Sequence, residues 1–289
     1  MTYTDEEIRH MAIELLIAKT DRDKQTRIGA SNLSNPCDYC LAANFMGDDR
    51  STPITSRAWM GARLGTAMHS LWEERAKMVE GFLEQYPDAK QEEHVFFAEL
   101  RGYGKIGGSI DLLLPDGIVD WKGSTRKKSL LMLDYLQMSE GLEPRFGRAH
   151  KDIKLSEKVY AEEMEKQASK VTGYYGQQTL YMHGSGRKRA SLVFFNRDGT
   201  GWFDMPAADR YEDPSAVHDV WVLSFDYDQA YAEALIARGQ AIWDHLEAGG
   251  QPSDFERNAM CFPCGLDGRD EAKASVPDVD IEARMGMAA

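Results

Sequence analysis

The sequence predicts an α/β protein: a mixed central sheet flanked by helices, with a helical subregion closed by a four-cysteine metal centre. Three observations carry this. Helical periodicity gives way to strand periodicity over residues 94–122 and again over 190–226. An acidic hairpin lies in the first strand block, with apolar residues on both strand faces around it, as a central buried strand requires. Four cysteines fall in two C-x-x-C pairs, Cys37/Cys40 and Cys261/Cys264, one on either side of the strands.

Thr4 and Glu7 form a capping box ahead of Ile8, Ala12, Leu15 and Leu16, which predicts an amphipathic helix over residues 5–19. A second helix is expected over 55–86, where Met60, Leu64, Met68, Leu71, Trp72, Met78 and Phe82 recur at helical spacing and Pro87 ends the run. Strands are expected at 94–100, 105–114 and 118–122, the last two joined by the turn residues Pro115, Asp116 and Gly117. Residues 123–155 are mixed, and 129–172 are read as a substrate gate or partner surface. A helix over 156–182 is closed by Gly184 and Gly186. Strands at 190–196 and 218–226 bracket a Gly/Pro/Asp-rich segment and read as sheet edge. A last helix over 228–248 presents Tyr231, Leu235, Ile242 and Leu246 on one face and stops at Gly249, Gly250 and Pro252. In domain terms, 1–30 is an N-terminal helix and lead-in, 31–265 the main domain, and 266–289 a polar tail read as disordered.

At 289 residues, 43% hydrophobic and 28% charged, the composition is that of a soluble globular protein. No apolar run approaches the about 18 residues that span a bilayer. The acidic N-terminus is unlike a secretory signal, which places the chain in the cytoplasm. With 34 basic against 47 acidic residues the net charge is −13, so the overall field repels nucleic acid. Indiscriminate coating of DNA is thereby excluded, and any phosphate contact needs a local basic groove or a metal. No G-x-x-x-x-G-K-[ST] phosphate loop occurs, so any motor activity belongs to another protein.

If Asp116 and Gly117 form a two-residue type I′ turn, Asp111 faces Lys122 and Leu113 faces Asp120. Asp111, Asp120 and Lys122 then share one face of the sheet. Two carboxylates and an ammonium are costly to bury unless they pair or bind a cation, and oxygen donors suit Mg²⁺ or Mn²⁺. The alternative is a solvated face on which Lys122 bridges the carboxylates as a surface ion pair. Gln177 and Tyr181, with Tyr174, share a helix face that can present an amide and a phenol to a polar ligand, though aromatics at this spacing also build cores. His69, midway along the second helix, is either a ligand or a satisfied interface histidine.

Taken in order, His69, Gly108-x-x-Asp111, Asp120-x-Lys122 and Gln177-x-x-x-Tyr181 resemble the RecB-like branch of the PD-(D/E)xK nuclease superfamily. The segment from Ser31 to Cys37 and the C-terminal C-x-x-C bracket these motifs as in the iron-sulfur members: CRISPR-associated exonucleases, phage-encoded relatives and the AddB nuclease. The similarity covers about residues 30–265. It implies a restriction-endonuclease-like core and metal-dependent DNA hydrolysis, exonucleolytic on single strands or resected ends. By the resemblance, His69, Asp111, Asp120 and the Trp121 carbonyl hold Mg²⁺ or Mn²⁺, Lys122 polarises the attacking water, and Gln177 and Tyr181 orient the strand. Glu93, or its neighbour Glu92, is a candidate further carboxylate.

Two C-x-x-C pairs complete four thiolate ligands. Spacing alone favours zinc; the resemblance favours a 4Fe-4S cluster, although related nucleases usually divide their cysteines one and three rather than two and two. With 220 residues between Cys40 and Cys261, such a centre would tie the ends of the domain together. The basic triplets Arg126, Lys127, Lys128 and Arg187, Lys188, Arg189 are expected beside the site as DNA contacts, with Trp121, Tyr174 and Tyr175 as stacking partners for unpaired bases. A separate helicase, recombinase or CRISPR-adaptation partner is compatible with this. Two competing readings remain: a catalytically silent DNA-binding adaptor of a recombination or CRISPR-adaptation complex, and a zinc-stabilised regulator of duplex DNA.

Overall fold

Five strands, β1 (Lys90–Leu100), β2 (Gly104–Leu113), β3 (Gly117–Ser124), β4 (Arg189–Asn196) and β5 (Val220–Asp226), lie side by side in that order. The computed structural model describes residues 28–47, 67, 71, 74, 88–196 and 220–258. All neighbouring strands are antiparallel except β3 and β4, which run parallel from Gly117↔Arg189 to Ser124↔Asn196. A parallel pair needs a crossover. Here it consists of α3 (Arg126–Ser139) and α4 (Glu157–Ser185), introduced after α1 (Ala30–Leu33) and α2 (Asp38–Phe45) and followed by α5 (Gln229–Glu247). The sheet is therefore mixed, as expected. Among the described residues no helix is long and apolar enough to cross a membrane.

The main core lies where α1, α2, α4 and α5 meet the sheet, and includes Leu33, Leu41, Leu100, Ile106, Ile110, Ile118, Leu180 and Leu235. Long α4 begins at Ser156, whose hydroxyl accepts the Val159 N–H, and ends at Gly186 with φ 72°, the left-handed conformation that glycine adopts without penalty. It can approach β1 closely because Gly184 lacks a side chain: a Cβ there would lie 2.7 Å from the Phe96 carbonyl oxygen. On α5, Asp228 caps the Tyr231 N–H at 2.9 Å, and Leu235, Ile242 and Leu246 face the core.

The hairpin register departs from expectation. Leu112 pairs with Val119 and Leu113 with Ile118, and the Leu114 N–H donates to the Gly117 carbonyl at 2.8 Å. The turn is therefore Pro115-Asp116, two residues out of register with an Asp116-Gly117 turn. Pro115 explains this: it has no N–H for a ladder position and its fixed φ suits a turn. Gly117 is needed instead within β3, where a Cβ would lie 3.0 Å from the Arg189 carbonyl oxygen of β4. A slip of two residues, unlike a slip of one, returns each side chain to its original face. The ladder pairs end at Leu112↔Val119, so Asp111 is not paired with Lys122 across the hairpin.

Other expectations also change. Residues 123–155 contain a regular helix, α3, capped by the Thr125 hydroxyl. β4 is an inner strand rather than an edge, with Ala190, Leu192 and Phe194 buried, and only β5 of that pair is an edge. Leu71, assigned to an apolar stripe, is helical but 45% exposed. The expected helix over 5–19 and the tail from 266 lie outside the described residues.

The stretch least legible in sequence has its own small core. Leu130, Leu131, Ile153, Tyr160 and Met164 pack together between α3, the following loop and α4. Beside them Asp134 is 0% exposed. Its carboxylate accepts the Phe146 N–H at 2.8 Å, the Gly147 N–H at 2.9 Å and the Tyr160 hydroxyl at 2.8 Å, pinning the loop to both helices. Burial, then the Asp134 hydrogen bond and charge, push the Tyr160 phenol above its ordinary value. The folded protein thus keeps a proton that the unfolded chain releases. That contribution is complete below the ordinary tyrosine value of about 10 and is lost as pH rises through the folded value. Tyr160→Phe should cost about 1–3 kcal/mol at neutral pH. In urea unfolding at a series of pH values, the gap to wild type should be constant below about pH 10 and narrow above it.

Candidate active site

Strand β3, which holds the candidate residues Asp120 and Lys122, is an inner strand, flanked by β2 and β4 and covered by α4. Asp120 is 5% exposed on it. Its Oδ2 lies 2.5 Å from the Lys122 ammonium, two residues on and therefore on the same strand face. Burial alone would pull the Lys122 pKa down. The Asp120 charge, with Tyr174 and Asp111 behind it, more than offsets this and holds the pKa above the ordinary lysine value. Lys122 is therefore a charged donor at neutral pH.

Past Leu112↔Val119 no further β2–β3 pairs form. Asp111 sits in this opening, where its Oδ2 accepts the Trp121 N–H at 2.7 Å in place of a ladder carbonyl. The N–H and C=O of a strand residue point to the same edge. The Trp121 carbonyl is accordingly also turned toward β2. Glu92 is bracketed opposite Asp111 by the pairs Gln91↔Leu112 and Glu93↔Ile110, and has a φ of 50°, strained for a residue with a side chain. Glu93 instead pairs with Lys90 at 3.3 Å.

Helix α4 closes the site from above. Tyr174 packs against Phe194, with ring centroids 5.9 Å apart, and its ring centroid lies 5.5 Å from the Lys122 ammonium. Tyr181, two helical turns further along the same face, is buried beside Gly108, where a Cβ would lie 2.9 Å from its hydroxyl. Burial raises the Tyr181 phenol to about 12, with a hydrogen bond from Gln177 working against the shift and the Asp120 charge adding to it. Tyr181 thus stays protonated at neutral pH and acts as a hydrogen-bonding group, not a phenolate. The structure brings Asp111, Asp120, Lys122, Gln177 and Tyr181 into one neighbourhood. His69 lies outside the described residues. Among the described residues no three His, Cys, Asp or Glu side chains are grouped as a metal site.

The basic triplets part company. Arg126, Lys127 and Lys128 form the first turn of α3, directly after β3, where the helix dipole disfavours cations unless an anion is present. Arg126 has such a counter-charge in Asp152, 3.1 Å away, while Lys127 and Lys128 are exposed. The second triplet is at the opposite end of β3, by the hairpin turn. There Arg187 donates through Nε to the Leu114 carbonyl at 2.7 Å, Lys188 lies 4.4 Å from the Tyr227 ring centroid, and Arg189 pairs with Gly117. Proximity of this triplet to the site is thus corrected. Tyr174 and Tyr175, expected as stacking partners for bases, have aromatic partners within the fold. Tyr174 is used against Phe194, and Tyr175 stacks on Tyr231 at 5.1 Å and hydrogen-bonds Asp228.

No family model matches the chain, and no curated protein matches it. Solved structures with a similar course of the chain include the alkaline exonuclease LHK-Exo from Laribacter hongkongensis, at 12% identity and a TM-score of 0.42 over 88% of this chain and 97% of that one. A phage-related exonuclease from Haemophilus somnus 129PT is 13% identical with a TM-score of 0.39, over 86% of this chain and 91% of the other. Two solved neighbours are thus exonucleases. SSO0001 is 12% identical with a TM-score of 0.38, over 84% and 87% of the two chains. At these values the likeness concerns the path of the backbone alone, and the chemistry must be read from the side chains.

The cysteine region lies apart from this site. Cys37 is the N-cap of α2 and Cys40 lies in its first turn; they are 1% and 0% exposed. The chain returns to them after α5: the Asn258 N–H donates to Cys37 Sγ at 3.5 Å, and the Arg257 guanidinium lies 4.3 Å from the Tyr39 ring centroid and bonds its hydroxyl at 2.9 Å. Arg238 of α5 secures the same region through Asp38 at 2.7 Å and the Asn35 carbonyl. Cys261 and Cys264 lie outside the described residues.

Lys122→Ala should leave the buried Asp120 carboxylate without its counter-charge and cost about 3–5 kcal/mol at neutral pH. The deficit should shrink as pH falls and Asp120 takes up a proton, which denaturant unfolding of the metal-free protein at neutral and acidic pH would measure.

Proposed function

We propose that the chain is a divalent-metal-dependent deoxyribonuclease of the PD-(D/E)xK type, acting exonucleolytically on single strands or resected ends. The observation that carries this reading is the buried Asp120–Lys122 pair at the open end of the hairpin, with Asp111 fixed on the Trp121 N–H. A carboxylate has about four lone-pair sites, so the Trp121 hydrogen bond does not by itself exhaust Asp111 as a ligand. The donor set of two carboxylates and a backbone carbonyl is hard oxygen throughout and fits Mg²⁺ or Mn²⁺. Asp111, Asp120 and the Trp121 carbonyl would hold the ion, with His69 as a further ligand. A bound divalent cation supplies Lewis-acid stabilisation of charge on the phosphate oxygens and makes a bound water acidic.

The side chains themselves account for the rest. Lys122, held charged, offers donors that position the attacking water or the phosphate oxygen it approaches. Tyr181, protonated and oriented by Gln177, donates to the backbone of the strand. Lys127 and Lys128 at the start of α3 provide local attraction for phosphate that the net charge of −13 otherwise opposes.

The four-cysteine centre belongs to the same proposal. Cys37 and Cys40 form a buried thiol pair, and the Asn258 N–H directed at Cys37 Sγ is the kind of hydrogen bond that stabilises a metal-bound thiolate. Asn258 precedes Cys261 by three residues, which a chain covers within about 10 Å. This supports joint ligation by Cys37, Cys40, Cys261 and Cys264 of a 4Fe-4S cluster or, alternatively, zinc.

End-labelled single-stranded and duplex DNA should be shortened stepwise by anaerobically purified protein with Mn²⁺ or Mg²⁺, and not with EDTA. Asp120→Ala should abolish cleavage while keeping the fold and the metal held by the cysteines; persistence of cleavage would remove Asp120 from the mechanism. Cys40→Ser should lose the bound metal, with elemental analysis and visible absorption of the wild type deciding between iron-sulfur and zinc.

A further inference from the structure

Phe96 is 56% exposed although Val95 and Phe97, on either side of it, pack into the core. Its ring is not left to itself: the His94 ring stands edge-on at 4.9 Å, and the Lys105 ammonium lies 5.6 Å from its centroid. All three line a cavity of about 350 Å³ that also includes Gly107, Gly108 and Tyr181. Among the described residues no acidic side chain lines it.

The wall formed by Gly107 and Gly108 is bare backbone. Glycine weakens a strand interior, yet two stand together in β2. At Gly107 a Cβ would lie 2.5 Å from the Val95 carbonyl oxygen and 2.7 Å from the His94 ring, and at Gly108 2.9 Å from the Tyr181 hydroxyl. Gly107 therefore lets the His94 and Phe96 side chains lie over β2. Gly108 lets Tyr181, which feels the charges of Asp120, Lys122 and Asp111, form a wall common to the cavity and the acidic site. Covering Gly107, its ladder partner, explains where the Phe96 ring lies but not why a cation accompanies it in a chain of net charge −13.

We infer that this cavity is a subsite for one unpaired nucleotide of the strand being cut, its base stacked on Phe96 and its phosphate met by Lys105. The inference rests on the nuclease reading and adds the substrate's state to it. An aromatic face beside a cation is complementary to a base beside a phosphate, and base stacking tolerates any sequence. The volume is at the small end of the range of about 300–1,000 Å³ for ligand pockets; a base inside a duplex has neither face free to enter, and a terminal base, with one face free, brings its paired partner with it. The nucleotide next to the scissile bond must therefore be unstacked before cutting, which favours single strands and frayed ends over blunt duplex.

The test is fluorescence anisotropy in EDTA with short end-labelled oligothymidylates, one intact and others carrying a single abasic site at successive positions. Phe96→Ala should weaken binding of the intact strand about 5- to 150-fold, the equivalent of about 1–3 kcal/mol for one stacked base. Phe96→Trp should restore it. At one position the abasic site should weaken wild type by the same factor and Phe96→Ala no further. Lys105→Ala should lower the slope of log affinity against log salt by about 0.7. A Phe96→Ala protein that melts like wild type and binds as tightly overturns the subsite, as does an abasic penalty undiminished in that variant. Cleavage with Mn²⁺ in parallel separates the two readings. Wild type that cuts while Phe96→Ala binds normally sinks the subsite alone, and wild type that shows the Phe96 signature but never cuts sinks the nuclease alone. A wild type that neither binds nor cuts overturns both.

Discussion

A buried ion pair sets the terms for the rest of this molecule. Removing Asp120 and Lys122 from water costs several kcal/mol per ion, and their close mutual contact works against that cost. Such pairs seldom add net stability compared with apolar residues of the same size, so their presence on an inner strand calls for a chemical reason. The surroundings are arranged to hold the pair in place. β4 runs parallel to β3 and buries its far side, the hairpin opens past Leu112 and Val119 so that Asp111 can reach the Trp121 N–H, and α4 lays Tyr174 and Tyr181 over the charges. Each of these depends on a residue without a side chain or without an N–H: Gly117, Gly108, Gly184 and Pro115.

The crossover between β3 and β4 is longer than a parallel connection requires because it contains a small core of its own. Asp134 holds that unit together much as Asp120 and Lys122 hold the site, by satisfying a buried charge, here with two backbone N–H groups and a phenol. Its outer rim begins with Lys127 and Lys128. The crossover is thus a rigid shoulder next to the open end of the hairpin, with its exposed cations at the end of β3 that carries Lys122. At the other side of the domain, α5 and the segment following it return to Cys37 through Arg238, Arg257 and Asn258. The two ends of the described chain therefore meet on α2, away from the acidic centre.

Much of this was legible from local pattern. Strand and helix periodicities located five strands and the long helix, because burial of one face imposes a period of two or of 3.6 residues whatever the neighbours are. The spacing of Asp120 and Lys122 on one strand, and of Gln177 and Tyr181 on one helix, determined which side chains could act together. Their choice as candidate site residues rested on the resemblance of the whole motif order, not on these spacings alone.

What only tertiary structure decided was which partner each residue met. Pro115, not Gly117, took the turn, because Gly117 was required for the approach of β4. Tyr175, a candidate for stacking on a base, went to Tyr231 and Asp228, while Phe96, unremarked in sequence, remained exposed beside Lys105. Arg187 spent its guanidinium on the hairpin carbonyl of Leu114. Local sequence determines the face on which a side chain projects, since that follows from backbone geometry. Exposure, desolvation and pairing depend on segments distant in the chain, and these decided whether a charge or a ring became scaffold or site.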